Sequence, residues 1–388
     1  MLSTTFLDRL AQIALSPGFL IPAALVTLAI ALFILMRMTT LWAIIRNTFL
    51  QTIRQPVFSV LIGLLYFLLV MGFLLSNWAI SPSGDHQDQD QRLMINVSLS
   101  TLMAMGILVA VFSASSVLAR EIDDKTALTV VSKPVSKGTF VLGKFFGVAG
   151  AVSIACYLGA LAMMMLCRHR VLTNASDPVD YPVIVLGISA LVAAFGVAIA
   201  GNFLFGWTFT TAVTWLQVIF MTAAMGAIAV IGKEWTLIPF GQGIEPSTLK
   251  AIYALVLIVW VLTAVAIAAS TRLGQISTLM VCIGFAVAGG YHQLFFGAWA
   301  GGNHAIEALG LAMPDTRYFL LMESILRDAP IRPEYLLTLT GYAVLLIAAI
   351  LSLGIGLFQT RQLEAVPSAG GPGGVNLLAG VGRVVGFV

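Results

Sequence analysis

The chain contains 388 residues, of which 59% are hydrophobic and only 10% are charged, and its mean hydropathy is +0.99. Soluble domains carry about 25% charged residues, so this composition excludes a cytosolic enzyme, a secreted domain and a disordered chain. The formal net charge of +3 provides no basic surface for nucleic acid. The composition predicts an integral membrane protein whose main partner is the lipid bilayer.

Apolar stretches of spanning length recur along the whole chain. A helix that crosses a bilayer needs about 20 consecutive apolar residues. The sequence therefore predicts an all-α integral membrane protein, a polytopic helical bundle of about nine transmembrane helices. The predicted spans are 19–36, 57–80, 93–118, 145–167, 182–206, 207–232, 251–270, 276–298 and 336–359.

The fifth and sixth predicted spans are separated by very few residues. Gly201, Asn202 and Gly206 mark only a tight turn between 182–206 and 207–232. Two readings stay open for this pair: two short spans, or a broken re-entrant pair.

Residues 38–55 form an amphipathic helix rather than a span. Apolar side chains recur at every fourth position from Leu41 onward, while Arg54 faces away from them. Such a helix lies in the plane of the membrane interface, with Arg46 and Arg54 among the lipid headgroups and Trp42 in the aromatic belt. An ordinary cytoplasmic loop helix is the alternative.

The basic residues orient the bundle. They cluster in segments 37–56 and 119–144, whereas loop 81–92 holds three aspartates and one arginine. The positive-inside rule makes the two basic segments cytoplasmic. Counting through nine spans then places the N-terminus outside and the C-terminus in the cytoplasm. The expected location is the cell membrane, meaning the cytoplasmic or inner membrane, with multiple passes.

The predicted spans contain no Asp, Glu, Lys or Arg. Ion-coupled carriers move charge within the membrane, so this absence disfavours a secondary transporter. Residues 138–145 (GTFVLGKF) nearly match a phosphate-binding loop, but Phe145 replaces the required Ser or Thr and no strand precedes them. No catalytic, cofactor-binding or metal site is predicted. A metal site in the acidic loop 81–92 is the less favoured alternative to a solvated loop.

The most charged stretch of the chain is the 119–144 loop between two predicted spans. Residues 119–132 are compatible with a short helix that carries an apolar patch, and Pro134 ends it. Such a helix at the mouth of a membrane domain suits docking to a soluble partner. A plain solvated loop is the alternative.

This loop resembles the cytoplasmic loop of type-2 ATP-binding-cassette (ABC-2) permeases, in the branch named for multi-copper enzyme maturation. The resemblance rests on Glu121, Thr126, Ser132, Pro134, Val135, Gly143 and Lys144. Further segments resemble features of the family in the same order along the chain. They are the helix at 41–55, the turn at 268–272, and the segments 313–319 and 361–364.

The resemblance implies an organisation of the chain. A permease membrane domain would occupy 38–364, with 38–55 as its elbow helix and 119–144 as its coupling loop. Members of the family commonly have six spans, so residues 1–37 would add an N-terminal span and 182–232 an inserted pair. Residues 365–388 form a Gly-rich C-terminal tail.

The resemblance also implies a function. The chain would be the membrane subunit of an ATP-driven exporter, paired as a homodimer or heterodimer and driven by two cytoplasmic ATPase subunits that hold ATP and Mg. The coupling loop would contact the ATPase, and this chain would carry no catalytic site and no cofactor. A non-transporting assembly or scaffold protein is the principal alternative. An ion-coupled secondary transporter is the third.

Overall fold

A computed structural model describes residues 40–76, 87–123, 136–171, 179–243, 245–298, 314–321 and 329–359, and single residues at 32, 304, 310, 324 and 325. The α-helices within these ranges are α1 (Thr40–Ile53), α2 (Pro56–Ser76), α3 (Gln87–Asp123), α4 (Lys137–His169), α5 (Tyr181–Phe205), α6 (Phe209–Ile228), α7 (Pro246–Ser270), α8 (Gln275–Gly290) and α9 (Pro333–Gln359). A π-helix follows α8 at Gln293–Ala298, and a 3-10 helix lies at Thr316–Phe319.

Seven helices among the described residues are long and apolar enough to cross a membrane: α2 to α7, and α9. Their length and hydropathy confirm the predicted multi-pass helical membrane protein. The predicted span 276–298 differs, because α8 is only 16 residues long and the chain continues as the π-helix. Of the predicted span 19–36 only Leu32 is described, and the tail 365–388 lies outside the described residues.

The pair at 182–232 forms two complete helices. The α5 helix has 25 residues and the α6 helix has 20, which correspond to about 37 and 30 Å of helix. Both helices are long enough to cross a hydrocarbon core of about 30 Å, which favours two spans over the re-entrant alternative.

The connection between α5 and α6 is a tight turn that specific contacts hold in place. Gly206 adopts a left-handed conformation with φ of 68°, which glycine accepts without steric cost. The ring of Trp207 lies so close over Gly201 that a Cβ there would come within 2.2 Å of it. The Asn202 side-chain amide donates a hydrogen bond to the carbonyl of Trp207. These contacts close the hairpin with almost no loop.

Contacts along α4 show which ends of the helices lie together. Leu65 of α2 lies against Gly159, Phe73 of α2 against His169, and the hydroxyls of Tyr157 and Thr222 are 2.9 Å apart. Helices α2, α4 and α6 therefore run in the same direction, and α3, α5, α7 and α9 run back.

We name the two ends of the bundle by their residues. The lower end contains 54–55, 117–123, 136–139, 206–208 and 271–274, and the upper end contains 169–171, 179–180, 229–243 and 314–321. Helix α3 thus starts at the upper end, at Gln87, and ends at the lower end, at Asp123.

Helix α7 is the centre of the bundle. In its most apolar 18-residue stretch 83% of the residues are buried, against 17% in α9. It packs against α3, α4, α8 and α9. Gly106 of α3 lets the two backbones approach, since a Cβ there would lie 2.9 Å from Val259. The indole of Trp260 donates a hydrogen bond to the Ser153 hydroxyl of α4 at 2.8 Å.

Helix α1 confirms the predicted helix at 38–55. It runs alongside the first turns of α4, where glycines recur at Gly143, Gly147 and Gly150. A Cβ on Gly147 would lie 2.5 Å from Thr48 and 2.8 Å from the carbonyl of Ile45. The fully buried α1 positions are Thr48, Thr52 and Ile53. Two members of the predicted apolar stripe, Leu41 and Phe49, also lie against the glycines of α4.

Adding a methyl group at Gly147 is expected to force α1 away from α4. We expect Gly147→Ala to lower the free energy of unfolding by about 1–3 kcal/mol, the cost of overpacking a filled site. The measurement is thermal or denaturant unfolding of the purified protein in detergent.

The matched control is Gly63→Ala in the middle of α2, where nothing lies within 4 Å of an added Cβ. Because alanine favours a helix over glycine by about 0.5–1 kcal/mol, this variant should be neutral or slightly more stable. Equal destabilisation by both variants would contradict the close contact between α1 and α4.

Candidate functional site

The predicted coupling loop is shorter than the sequence suggested. Helix α3 continues to Asp123 and α4 begins at Lys137, so residues 119–123 and 137–144 are helical and the connection covers 124–136. Glu121 lies in the last turn of α3, with its side chain outside the described part of the structure. The other predicted coupling residues outside the described ranges are Thr126, Ser132, Pro134 and Val135.

Helix α3 is longer than a membrane requires. Its 37 residues extend about 55 Å, whereas the hydrocarbon core is about 30 Å thick. Its candidate membrane span ends at Val117, and the helix continues for six further residues at the lower end. Helix α3 therefore extends beyond its apolar stretch at the lower end.

The start of α4 is fixed by a cap and by an aromatic contact. Ser136 is the N-cap residue, and its hydroxyl accepts a hydrogen bond from the backbone N–H of Thr139 at 3.1 Å. One turn further on, the ring of Phe140 stacks on that of Phe358 with centroids 5.7 Å apart. The base of the coupling loop is thereby fastened to the lower end of α9.

Gly143 and Lys144, both predicted coupling residues, lie within α4 at the contact with α1. A Cβ on Gly143 would come within 2.6 Å of Ile44, so only glycine fits there without a shift. The Lys144 side chain is 1% exposed, and its Nζ lies 5.3 Å from the centre of the Phe140 ring. A buried ammonium gains from such an aromatic face.

Lys144 also corrects the predicted span boundary. The predicted span begins at residue 145 and so leaves Lys144 in the loop before it. The structure places it seven residues inside the helix and in the interior of the bundle. The four-carbon stem packs like an apolar side chain, which a hydropathy pattern does not register.

The near match to a phosphate loop is part of a helix. Residues 138–145 lie within α4, where the backbone N–H of Thr139 bonds to the Ser136 hydroxyl and those from Phe140 onward bond to carbonyls one turn earlier. A phosphate-binding loop needs those N–H groups to point at the ligand. This local structure does not provide the cradle.

The predicted elbow residues flank the α1–α4 contact. Arg46 and Arg54 are exposed and Trp42 is half-buried. The carbonyl of Arg54 accepts a hydrogen bond from Thr210, at the start of α6, at 3.1 Å. Gln55 is buried in the turn after α1, and its side-chain oxygen accepts a hydrogen bond from Ser116 of α3 at 2.8 Å. The elbow is joined to three neighbouring helices.

Arg272 adds a further tie at the lower end. It lies in the turn after α7, inside the segment 268–272 that carried part of the resemblance. Its Nε and one Nη donate to the carbonyl of Leu357 at 3.0 and 2.8 Å, so it caps the last turn of α9. The lower end therefore links α1, α3, α4 and α9 through contacts of named side chains.

At the upper end, the segment around 313–319 is held by an ion pair. Asp315 accepts hydrogen bonds from the Arg317 side chain, with Nε 3.0 Å from Oδ1, and from the backbone N–H of Arg317 at 3.0 Å. These bonds hold the pKa of the Asp315 carboxyl below its ordinary value. Phe319 stacks on Tyr342 of α9, and Thr316 lies against Gly289 of α8.

A buried pair at the upper end was missed by the sequence interpretation. Arg168 is 8% exposed and its guanidinium lies 3.9 Å from the carboxylate of Asp180, which is fully buried. The same guanidinium donates to the carbonyls of Ile231 and Gln242 at 3.2 and 3.4 Å. Asp180 also caps α5. The sequence signal for this pair is Arg168, a basic residue directly after an apolar run, at the end where the charge pattern otherwise places acidic residues.

Within the described ranges, no three metal-binding side chains converge on one point. No protein-family model matches the chain, and no curated protein matches it. The two polar ends of the bundle are the parts of the described structure that bear on its function.

The stability of the segment around Asp315 is expected to depend on pH. A carboxyl whose folded pKa is lowered stabilises the fold above its unfolded pKa, about 3.9, and that contribution is lost as the pH falls through the folded pKa. Asp315→Asn should therefore have a lower Tm than the parent protein at pH 6, and the difference should shrink as the pH falls below about 3.9 and vanish once Asp315 is protonated in the folded protein.

The control is Glu234→Gln, which removes an exposed loop carboxylate at the same end. It should leave the Tm unchanged across this range. A difference between parent and Asp315→Asn that stays constant from pH 6 to pH 3 would contradict the ionised pair.

Proposed function

We propose that this chain is the membrane-spanning permease subunit of an ATP-driven ABC-2 type transporter, an exporter whose ATP is hydrolysed by separate subunits. The observation that carries the proposal is the helical extension of α3 to Asp123 and its return through α4 from Lys137. The chain between these two helix ends, 124–136, is charged in sequence, and α3 ends beyond its apolar stretch. A soluble partner could therefore reach it without entering the membrane.

The contacts at its base support a mechanical role for the hairpin of α3 and α4. Helix α4 packs against α1 at Gly143, Gly147 and Gly150, and it contacts α9 through Phe140. When a partner displaces the hairpin, α4 moves with it and, through these contacts, α1 and α9 move as well. The energy for movement of the bundle would then enter from the ATPase subunits, with their ATP and Mg.

In this proposal the lower end faces the cytoplasm, α1 is the interfacial elbow helix, and 119–144 is the coupling segment. The exposed Arg46 and Arg54 are placed to meet lipid headgroups, and the half-buried Trp42 is placed to lie in the interfacial belt. The permease acts as a homodimer or heterodimer with two ATPase subunits in the cell membrane.

The orientation can be tested by labelling single cysteines in a background that lacks Cys156, Cys167 and Cys282. Ser136 at the lower end and Gln242 at the upper end are both exposed. We expect an impermeant maleimide to label Gln242→Cys in intact cells, and Ser136→Cys only after permeabilisation. Labelling of Ser136→Cys in sealed cells would reverse the orientation and remove the proposed ATPase contact.

Coupling can be tested at Glu121, in the last turn of α3. Removal of one charge from a buried contact costs about 2–5 kcal/mol of binding, or roughly one to three decades of affinity. Glu121→Ala should therefore reduce co-purification with a P-loop ATPase by tenfold or more and abolish coupled activity. Thr126→Ala should have a milder effect, because it removes only a neutral hydroxyl.

The control is Asp88→Ala, at the opposite end of the same helix. It should retain the ATPase and the activity, and both variants should keep the parent elution volume in gel filtration. Retention of the partner by Glu121→Ala with its loss in Asp88→Ala would contradict the proposal. A bound ATPase whose hydrolysis no substrate stimulates would favour the scaffold alternative, and a carrier driven by an ion gradient would need no ATPase.

A further inference from the structure

A polar cavity of about 350 Å³ opens at the upper end of the bundle. It lies where the start of α3, the end of α4 and the start of α7 meet, beside Ser324 and Ile325. Its charged lining residues are Arg92, Arg170 and Glu245. A volume of this size accommodates a small molecule or a lipid headgroup.

Two guanidinium groups line this cavity. Arg92 of α3 donates to the carbonyl of Ile325 at 3.3 Å, which orients its side chain. Arg170 follows α4 with a φ of 66°, a strained conformation for arginine, and its side chain is exposed. Among the described residues, the Arg170 guanidinium has neither a hydrogen bond nor an ion pair. It is available to an anion.

The N-terminus of α7 also faces the cavity, through Pro246 and Ser247. The first N–H groups of a helix have no acceptor within the helix, and the helix dipole favours negative charge there. The N-cap residue Glu245 does not cap these groups with its side chain. The guanidinium groups of Arg92 and Arg170 and the N-terminus of α7 therefore all place positive charge at this cavity.

A buried hydroxyl next to this space lacks a partner. Thr248, in the first turn of α7, is 1% exposed, and its Oγ1 makes no hydrogen bond with any described residue. It lines a recess of about 10 Å³ that shares Gln91, Ile95, Arg170 and Glu245 with the cavity. Buried hydroxyls are nearly always hydrogen-bonded in native proteins, and a recess of this size has room for about one water molecule, which can link Thr248 to an occupant of the cavity.

We infer that this cavity binds a small zwitterion that carries a phosphate group and an ammonium group. Phosphate oxygens point in several directions, so one phosphate can meet Arg92, Arg170 and the α7 N-terminus together, whereas a carboxylate offers two oxygens in one plane. The Glu245 carboxylate, which the two arginines leave unpaired, takes the ammonium. This inference does not depend on the transport proposal.

Phosphoethanolamine has this chemistry, either as a free phosphoester or as the headgroup of a phospholipid. The full-length protein is purified in maltoside detergent, which contains no phosphate, and titrated by calorimetry with phosphoethanolamine, inorganic phosphate and a short-chain phosphatidylethanolamine. We expect phosphoethanolamine or the lipid to bind, and inorganic phosphate to bind at least tenfold more weakly, because it lacks the ammonium.

Three variants test the residues. Arg170→Gln should weaken binding by about tenfold or more, the value of a hydrogen bond to a charged group. Thr248→Val should weaken binding about fivefold and at the same time raise the Tm of the ligand-free protein, because it removes an unpaired buried hydroxyl. Arg332→Gln, an exposed arginine at the same end, should change neither quantity.

Binding of both phosphoethanolamine and the lipid supports a site open to free phosphoesters, and binding of the lipid alone supports a headgroup site. Absence of binding by either would overturn the inference. Unchanged affinity in Arg170→Gln, or inorganic phosphate that binds as tightly as phosphoethanolamine, would overturn it as well. If the ligand binds but Thr248→Val leaves both affinity and Tm unchanged, the recess is not part of the site and the inference fails.

Discussion

Close approach of backbones around α7 is the constraint on which the bundle depends. Lipid is as apolar as a leucine side chain, so burying apolar surface between helices gains little, and dispersion contacts and hydrogen bonds must hold them together. Gly106 lets α3 reach Val259 of α7, and Ser153 of α4 accepts the indole hydrogen bond of Trp260. These contacts fix α3 and α4 against one central helix, and both polar ends of the molecule are built on the ends of those two helices.

The same physics operates at the lower end. Glycines at 143, 147 and 150 let α1 lie along α4, with Ile44, Thr48 and Phe49 in direct contact. Lys144 is buried one residue after the first of these glycines, and its neighbour Phe140 contacts α9. The first turns of α4 thus follow directly on the charged loop and contain both the buried ammonium of Lys144 and the close contact with α1. The proposed coupling movement needs this rigidity, because a compliant joint would absorb the displacement.

The sequence predicted the parts of this fold that follow from local chemistry. Hydropathy located the seven long spans within five residues at each end, except at the start of α4. It misplaced that start, because a lysine reads as a boundary although its stem is apolar. The periodicity of Leu41 and Phe49 also located the face of α1 that meets α4. The pairing of Arg168 with Asp180 and the cavity beside Thr248 depend on tertiary contacts between several elements, which no local pattern encodes.

The position of α7 in the chain has a consequence for biogenesis. The surfaces of α3 and α4 that surround α7 are made before α7 itself, because residues 87–169 precede 246–270. During synthesis, lipid tails must cover Gly106 and Ser153 until the seventh helix enters the membrane. The hairpin of α5 and α6 is inserted in this interval, and its near-absent loop lets it enter as one unit. The core is therefore completed late in synthesis. Protein replaces lipid against α3 and α4 when α7 enters the membrane, and α9 then packs against α7.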